Sequence, residues 1–283
     1  MSEFQPRPGQ AQALAYQGGR MGISAVPGSG KTHTLAVLAV RLVAEQIGEN
    51  EEVLVVTLVN SAVDNFKRRI NQILKDRGLI AGLGYRVRTL HGLAHDIVRE
   101  RPGMVGLAED FAIIDERQAE AIRQDAVDAW LRAHPTAFDP YLAPEIEGQD
   151  AERIRRAPWP ALARDLSTAF IKQAKDCQLT PEVLLERLAA LPDPDLLGLA
   201  RLGAEVYASY QRSLAYRGAV DFDDLTRLAL LALQQDPDYL ARLRRRWRYI
   251  LEDEAQDSSE LQVKILRLLT GEGGNWVRVG DPN

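Results

Sequence analysis

The chain reads as an α/β protein, a parallel phosphate-loop sheet flanked by helices and interrupted by an all-helical inserted subdomain. Three observations predict this. Short apolar runs rich in β-branched residues stand at Gly22–Val26, Val53–Val59, Arg86–Leu90, Tyr249–Glu252 and Trp276–Val279, alternating with helical periodicity as buried parallel strands do. Between Ala94 and Arg217 no strand alternation is visible, and helical patterns run through Glu116–Leu131, Leu162–Cys177, Pro181–Leu191 and Leu196–Tyr216 instead. Finally, Ala25-Val26-Pro27-Gly28-Ser29-Gly30-Lys31-Thr32 joins the first apolar run to an amphipathic helical pattern over Thr34–Ile47, the place of a phosphate-binding loop. Residues 1–93 and 217–283 are thus predicted to form the sheet domain and 94–216 the insert, with Pro-rich linkers at His134–Pro144 and Leu191–Pro194.

The loop points to a nucleoside triphosphate. Glycines at 28 and 30 let the backbone wrap an anion with its N–H groups inward, and the positive end of the following helix faces the same charge. Lys31 is expected to reach the β and γ phosphates, and Thr32 to place its hydroxyl on Mg²⁺. Ala25, Gly28, Ser29 and Gly30 complete the cradle, although Ala25 stands where the general pattern has its first glycine.

Holding a nucleotide is not hydrolysing it, and hydrolysis needs an acidic site. The run Tyr249-Ile250-Leu251-Glu252-Asp253-Glu254-Ala255-Gln256-Asp257 supplies one, because a strand ending in Asp-Glu puts adjacent carboxylates at the carboxyl edge of a parallel sheet, where the phosphate loop also lies. Asp253 is expected to hold Mg²⁺, Glu254 to take a proton from the attacking water, and Gln256 to sense the γ-phosphate.

Composition sets outer limits. With 283 residues, 46% hydrophobic, the chain can bury one large core or two modest ones, and no apolar run reaches membrane-spanning length. The start, Met-Ser-Glu-Phe-Gln-Pro, lacks the basic and apolar regions of an export signal, and the lone Cys177 excludes an internal disulfide, so a reducing cytoplasm is expected. A net charge of −5 argues against a globally basic nucleic-acid coat. Solvated helix faces account for the clusters Lys67-Arg68-Arg69 and Arg244-Arg245-Arg246, with local phosphate contacts as the alternative.

Taken together, the motifs resemble superfamily 1 DNA helicases of the UvrD, Rep and PcrA type, in order and over essentially the whole chain. The phosphate loop is similar to Ala-Gly-Ala-Gly-Ser-Gly-Lys-Thr, which makes Ala25 the expected residue. Gln10 resembles the glutamine that reads adenine, although the usual Leu-Asn before it is replaced; an amide both donates to and accepts from the adenine edge. Val56-Thr57-Leu58-Val59-Asn60-Ser61-Ala62 resembles the single-strand contact motif Val-Thr-Phe-Thr-Asn-Lys-Ala, so Thr57 and Asn60 carry over, while Leu58 and Ser61 lack the stacking ring and the charge. Thr89-Leu90-His91-Gly92 resembles Thr-Phe-His-Gly, implying DNA contacts by Thr89 and His91. Phe111–Asp115 and Val220–Leu225 resemble segments that border the insert, where Asp221 or Asp223 suffices as a helix cap. The acidic run resembles Asp-Glu-Phe-Gln-Asp, with Ala255 in place of the aromatic.

The resemblance implies a RecA-like ATP-binding domain carrying a helical insertion, and an ATP-dependent helicase or translocase moving along single-stranded DNA in repair, replication or recombination. Its implied partners are ATP, Mg²⁺, single-stranded DNA, duplex/single-strand junctions and a second RecA-like domain. Val277–Asn283 resembles Val-Gly-Asp-Pro-x-Gln cut before its glutamine, so these residues are expected to be a fragment lacking the arginine fingers of the second domain. Such fingers are worth about 10³–10⁵ in turnover, and the fragment alone is expected to hydrolyse ATP poorly. Two alternatives stay open: the motor of a RecB- or AddA-like helicase-nuclease, and a nucleotide-dependent DNA-binding scaffold that does not unwind.

Overall fold

Strand formation follows the β-branched runs closely. The computed structural model describes residues 5–26, 28–192 and 197–281. In chain order its elements are α1 (Pro8–Leu14), β1 (Arg20–Ser24), α2 (Lys31–Glu45), β2 (Glu52–Thr57), α3 (Asn60–Asp76), β3 (Tyr85–Thr89), α4 (Leu90–Glu100), β4 (Ala112–Ile113), α5 (Glu116–Ala133), α6 (Gly148–Arg156), α7 (Pro158–Asp176), α8 (Pro181–Ala189), α9 (Gly198–Tyr216), β5 (Ala219–Val220), α10 (Phe222–Gln235), α11 (Pro237–Arg246), β6 (Trp247–Glu252), α12 (Glu260–Thr270) and β7 (Asn275–Gly280). They fall into two compact units, Met1–Val105 with Leu228–Asn283, and Gly106–Arg227.

The first unit is built on a parallel sheet in the order β1-β7-β6-β2-β3. Val53 to Val56 of β2 are fully buried, as expected of a central strand covered on both faces. One face carries the apolar sides of α2 and α3, through Leu35, Leu38, Leu42, Phe66, Ile70 and Leu74. The register sets Ser24 beside Gly280, Val56 beside Glu252 and Thr57 beside Thr89, so the carboxyl ends of the strands form one rim. At the opposite rim, Glu52 joins three strand starts: its Oε2 accepts from Arg86 Nε at 3.2 Å, Arg246 Nε at 3.0 Å and Trp247 Nε1 at 3.2 Å. Burial disfavours that carboxylate, but Arg246 and Arg86 outweigh it and hold its pKa below the usual range.

Two bounds differ from the sequence reading near the phosphate loop. β1 ends at Ser24 rather than Val26, its ladder closing with Ala25 N donating to Gly280 O at 3.0 Å. α2 starts at Lys31 rather than Thr34, because Gly30 adopts a left-handed conformation (φ 90°, ψ 24°) and its carbonyl accepts from Thr34 N at 2.9 Å. Only glycine enters that conformation at little cost.

The second unit packs α5, α7, α8 and α9 around Ile122, Val127, Phe138, Ile171, Leu202 and Tyr210. Its extent, Gly106–Arg227, differs from the predicted insert 94–216 at both ends. α4 packs on β2 and β3 and so stays with the sheet. After Tyr216 the chain stays with the helices, because β5 pairs in parallel with β4 and Ile114 N donates to Val220 O at 3.0 Å. Thus the stretch read as free of strands contains β4, which at two residues is too short to show periodicity. α6 was also missed, since it is polar almost all round and is tied down by Arg155 on Asp139 at 2.9 and 2.7 Å.

A buried cation joins α7 of this unit to the Asp221–Asp224 turn. Lys175 of α7 is 0% exposed and pairs with Asp221 Oδ2 at 2.6 Å and Asp224 Oδ2 at 3.0 Å, while Tyr210 donates to Asp221 at 2.6 Å. Asp221 also caps α10, its Oδ1 accepting from Asp224 N at 2.8 Å. No helix among the described residues is long and apolar enough to cross a membrane.

Candidate active site

The phosphate loop follows the carboxyl end of β1, and Asp253, Glu254 and Gln256 follow that of β6, while Gln10 lies in α1. The loop leaves β1, turns through Gly28 (φ 76°) and Gly30 (φ 90°), and delivers Lys31 and Thr32 as the first residues of α2. Pro27 lies outside the described residues. A cavity of about 620 Å³ opens beside the loop, lined by Arg7, Gln10, Ile23, Ser29, Lys31 and Leu35 among others. Its apolar wall and few polar groups are the usual make-up of a small-ligand site.

Gln10 makes two hydrogen bonds. Its Nε2 donates to Ser29 O at 3.2 Å and its Oε1 accepts from Arg7 N at 3.0 Å, which ties α1 to the phosphate loop. The amide therefore stands at the cavity with its second N–H and second oxygen lone pair still available to a base. Ser29 Oγ is buried there without a hydrogen-bond partner.

Lys31 meets the acidic segment. Its Nζ donates to Glu254 Oε2 at 3.3 Å and pairs with Asp281 Oδ1. Burial works against the ammonium, but the Asp281 and Glu254 carboxylates outweigh it and raise its pKa. Asp281 belonged to a recognised segment yet was not read as a site residue; it follows β7, whose last residue Gly280 pairs with Ser24 at the end of β1.

Asp253 follows β6 and is 4% exposed, with its N–H donating to Val56 O at 2.9 Å. Burial first, and then the neighbouring Glu254, push its carboxyl pKa up to about 6 against the opposing pull of Lys31. Its Oδ1 is buried without a partner, an orphan oxygen of the kind a hard cation takes. Among the described residues no group of three or more His, Cys, Asp or Glu could hold a metal ion.

Glu254 is one of the few non-glycine residues with positive φ (φ 55°, ψ 44°). Gln256 braces it, its Nε2 donating to Glu254 Oε2 at 2.9 Å while its Oε1 accepts from Asp281 N at 3.0 Å. That approach requires Gly280, where an added Cβ would come within 2.8 Å of Gln256 Oε1.

The residues expected to meet DNA divide. Asn60 and Thr89 line one cleft of about 480 Å³, together with Lys67, Arg88 and His95. Thr89 also caps α4, its Oγ1 accepting from Gly92 N at 3.0 Å, and His91 lies in that helix's first turn. Thr57, by contrast, is 2% exposed at the end of β2 and does not line the cleft. Asp64 and Asp96 line it too; Lys67 belongs to the basic cluster whose alternative reading was a local phosphate contact, while Arg88, whose Nε donates to Asp96 Oδ2 at 2.7 Å, was not singled out.

The profile of the UvrD/REP helicase N-terminal domain matches residues 7–283. This chain belongs to the UvrD/REP helicase family. It is 29% identical to the ATP-dependent DNA helicase UvrD1 of Mycobacterium leprae (strain TN) over 94% of the chain and 30% of that protein. It is 30% identical to the ATP-dependent DNA helicase srs2 of Schizosaccharomyces pombe over 92% of the chain and 27% of that protein. With the ATP-dependent DNA helicase Rep of Escherichia coli (strain K12) it shares 26% over 97% of the chain and 35% of that protein. The chain thus spans about a third of the length of these curated relatives. UvrD/REP membership fits the parallel sheet with the helical unit inserted between β3 and β6.

Proposed function

We propose that this chain is the ATP-binding part of an ATP-dependent DNA helicase or translocase that moves along single-stranded DNA in repair, replication or recombination. The observation that carries the reading is the meeting of Lys31 with Glu254 and Asp281, which brings a phosphate-loop cation and an acidic strand end to one point. Family membership and the names of the relatives support DNA as the partner and ATP as the fuel.

In this reading the triphosphate enters along the loop and takes Lys31 from its carboxylate partners. Glu254, freed from the ammonium, accepts the proton of the attacking water, and Gln256 registers the terminal phosphate through its bonds to Glu254 and Asp281 N. Thr32 and Asp253 would hold Mg²⁺, which when bound offsets charge on the phosphate oxygens. The cleft with Asn60, Lys67, Arg88 and Thr89 offers donors to a DNA backbone, and duplex/single-strand junctions are the substrates such a motor opens. A second RecA-like domain would supply further cations to the phosphates, so these 283 residues alone turn ATP over slowly. A reducing cytoplasm suits the single free thiol, Cys177.

The test is binding of a non-hydrolysable ATP analogue with and without Mg²⁺, in wild type and Lys31→Ala, followed by DNA-stimulated hydrolysis in the whole protein. Equal affinities in the two forms would remove the reading.

A further inference from the structure

One buried charge near the site has no role in the scheme above. Glu252, at the end of β6, is 0% exposed and lies in register opposite Arg278 of β7. Its carboxylate takes four donors: Oε1 accepts from Ser258 Oγ at 2.8 Å and Arg278 Nη2 at 3.2 Å, and Oε2 from Trp276 Nε1 at 3.1 Å and Arg278 Nε at 2.7 Å. Arg278 stacks over the Trp276 ring, 4.8 Å from its centroid. It also uses Nη2 a second time, donating to Ala255 O at 3.2 Å.

Stability alone is a poor reason for such a pair, since apolar residues of similar volume serve as well or better in a buried position. Geometry is a better one. Through Ser258 and Ala255 O, the pair grips the acidic turn on the C-terminal side of Glu254, and the Asp253 N bond to Val56 O grips it on the N-terminal side. Between them Glu254 keeps a left-handed backbone, a conformation that is strained for a non-glycine residue and persists only where the surroundings over-determine it.

We propose that Glu252 and Arg278 are a positioning pair, holding Glu254 in its left-handed conformation so that its carboxylate is aimed for hydrolysis, and setting the rate of hydrolysis rather than the affinity for nucleotide. The pair rests on the reading of Glu254 as the base. Neither residue is catalytic, because both act through the turn.

The experiment uses the whole protein that contains this chain, as wild type, Glu254→Gln, Arg278→Lys, Arg278→Ala and the double variant Glu252→Leu with Arg278→Leu. Melting temperature, Kd for a non-hydrolysable ATP analogue with Mg²⁺, and kcat and KM for ATP are measured for each. Arg278→Ala is expected to leave Kd and KM nearly unchanged and to lower kcat by about 10²-fold, the scale of a misplaced catalytic group. Arg278→Lys keeps the charge but loses the fork, and falls in between. The double variant replaces the charges with apolar volume, so it recovers the melting temperature without recovering kcat. Recovery of kcat together with stability in the double variant, or wild-type kcat in a folded Arg278→Ala alongside a damaged Glu254→Gln, overturns the pair alone. Unchanged hydrolysis in Glu254→Gln overturns the assignment of the base instead. Should Arg278→Ala fail to fold, kcat in Arg278→Lys and the double variant decides.

Discussion

Lys31 Nζ lies 3.3 Å from Glu254 Oε2, so the cation proposed to take the phosphate is held by the carboxylate proposed as the base. On the proposed function, nucleotide binding would exchange one anionic partner for another. Removing the ammonium deletes a charge-assisted contact worth about 1.5–3 kcal/mol. Lys31→Ala is expected to weaken binding of an ATP analogue by about ten- to a hundredfold, as measured by calorimetry or fluorescence titration.

Asp253 and Glu52 are expected to give opposite pH signatures. Asp253 titrates at about 6 when folded, above its unfolded value, so protonation favours the folded state. Its contribution is full below the unfolded pKa and is lost as pH rises toward 6 and beyond, on the order of 3 kcal/mol. Asp253→Asn should thus gain stability relative to wild type across that window and then level off. Glu52 is depressed when folded, so its contribution is present above its unfolded pKa and is lost as pH falls through the folded one; Glu52→Gln should cost most at neutral pH. Urea midpoints between pH 3.5 and 8 measure both.

In the helical unit, Lys175→Met would leave Asp221 and Asp224 buried without their cation. Breaking such a group from one side costs about 3–5 kcal/mol. Chemical denaturation should show that loss, whereas replacement of the exposed Glu147 should stay within about 0.5 kcal/mol.

Gly30→Ala is expected to damage the phosphate loop from two directions. Its φ of 90° is strained for any residue with a Cβ, and that atom would stand 3.0 Å from Gln10 Nε2. A loss of about 1–2 kcal/mol in stability is expected, with weaker analogue binding. Gly103→Ala, where nothing lies within 4 Å and φ is ordinary, is the control that should change neither.

Lys67→Ala tests the cleft at the other end of the rim. In the whole protein it should weaken single-stranded DNA binding uniformly across sequences and reduce the salt slope by about 1. An unchanged slope would take Lys67 out of the interface.

Much of this site was legible because phosphate loops and strand-end acids tie chemistry to short spacings. Lys31, Asp253 and Glu254 fall where strand, turn and helix patterns put them. Arg88, Lys67 and Asp281 were harder to see, since their importance comes from which helices and strands become neighbours. Glu252 and Arg278 are the instructive case: each is a charge preceded by apolar residues within its strand, and only the parallel register makes them opposite. β4 and β5 escaped for another reason, as two-residue strands carry no period to read.

The Glu52 mesh and the Asp253 carboxyl lie at opposite rims of one sheet, and this gives the fold a division of labour. Substitutions around Glu52 should register as fragility with intact chemistry, and those at Asp253 as a sturdier but idle protein. A screen that selects only for heat resistance would then drift toward losing the acidic rim while keeping the basic staple, making the inactive forms the easiest to purify.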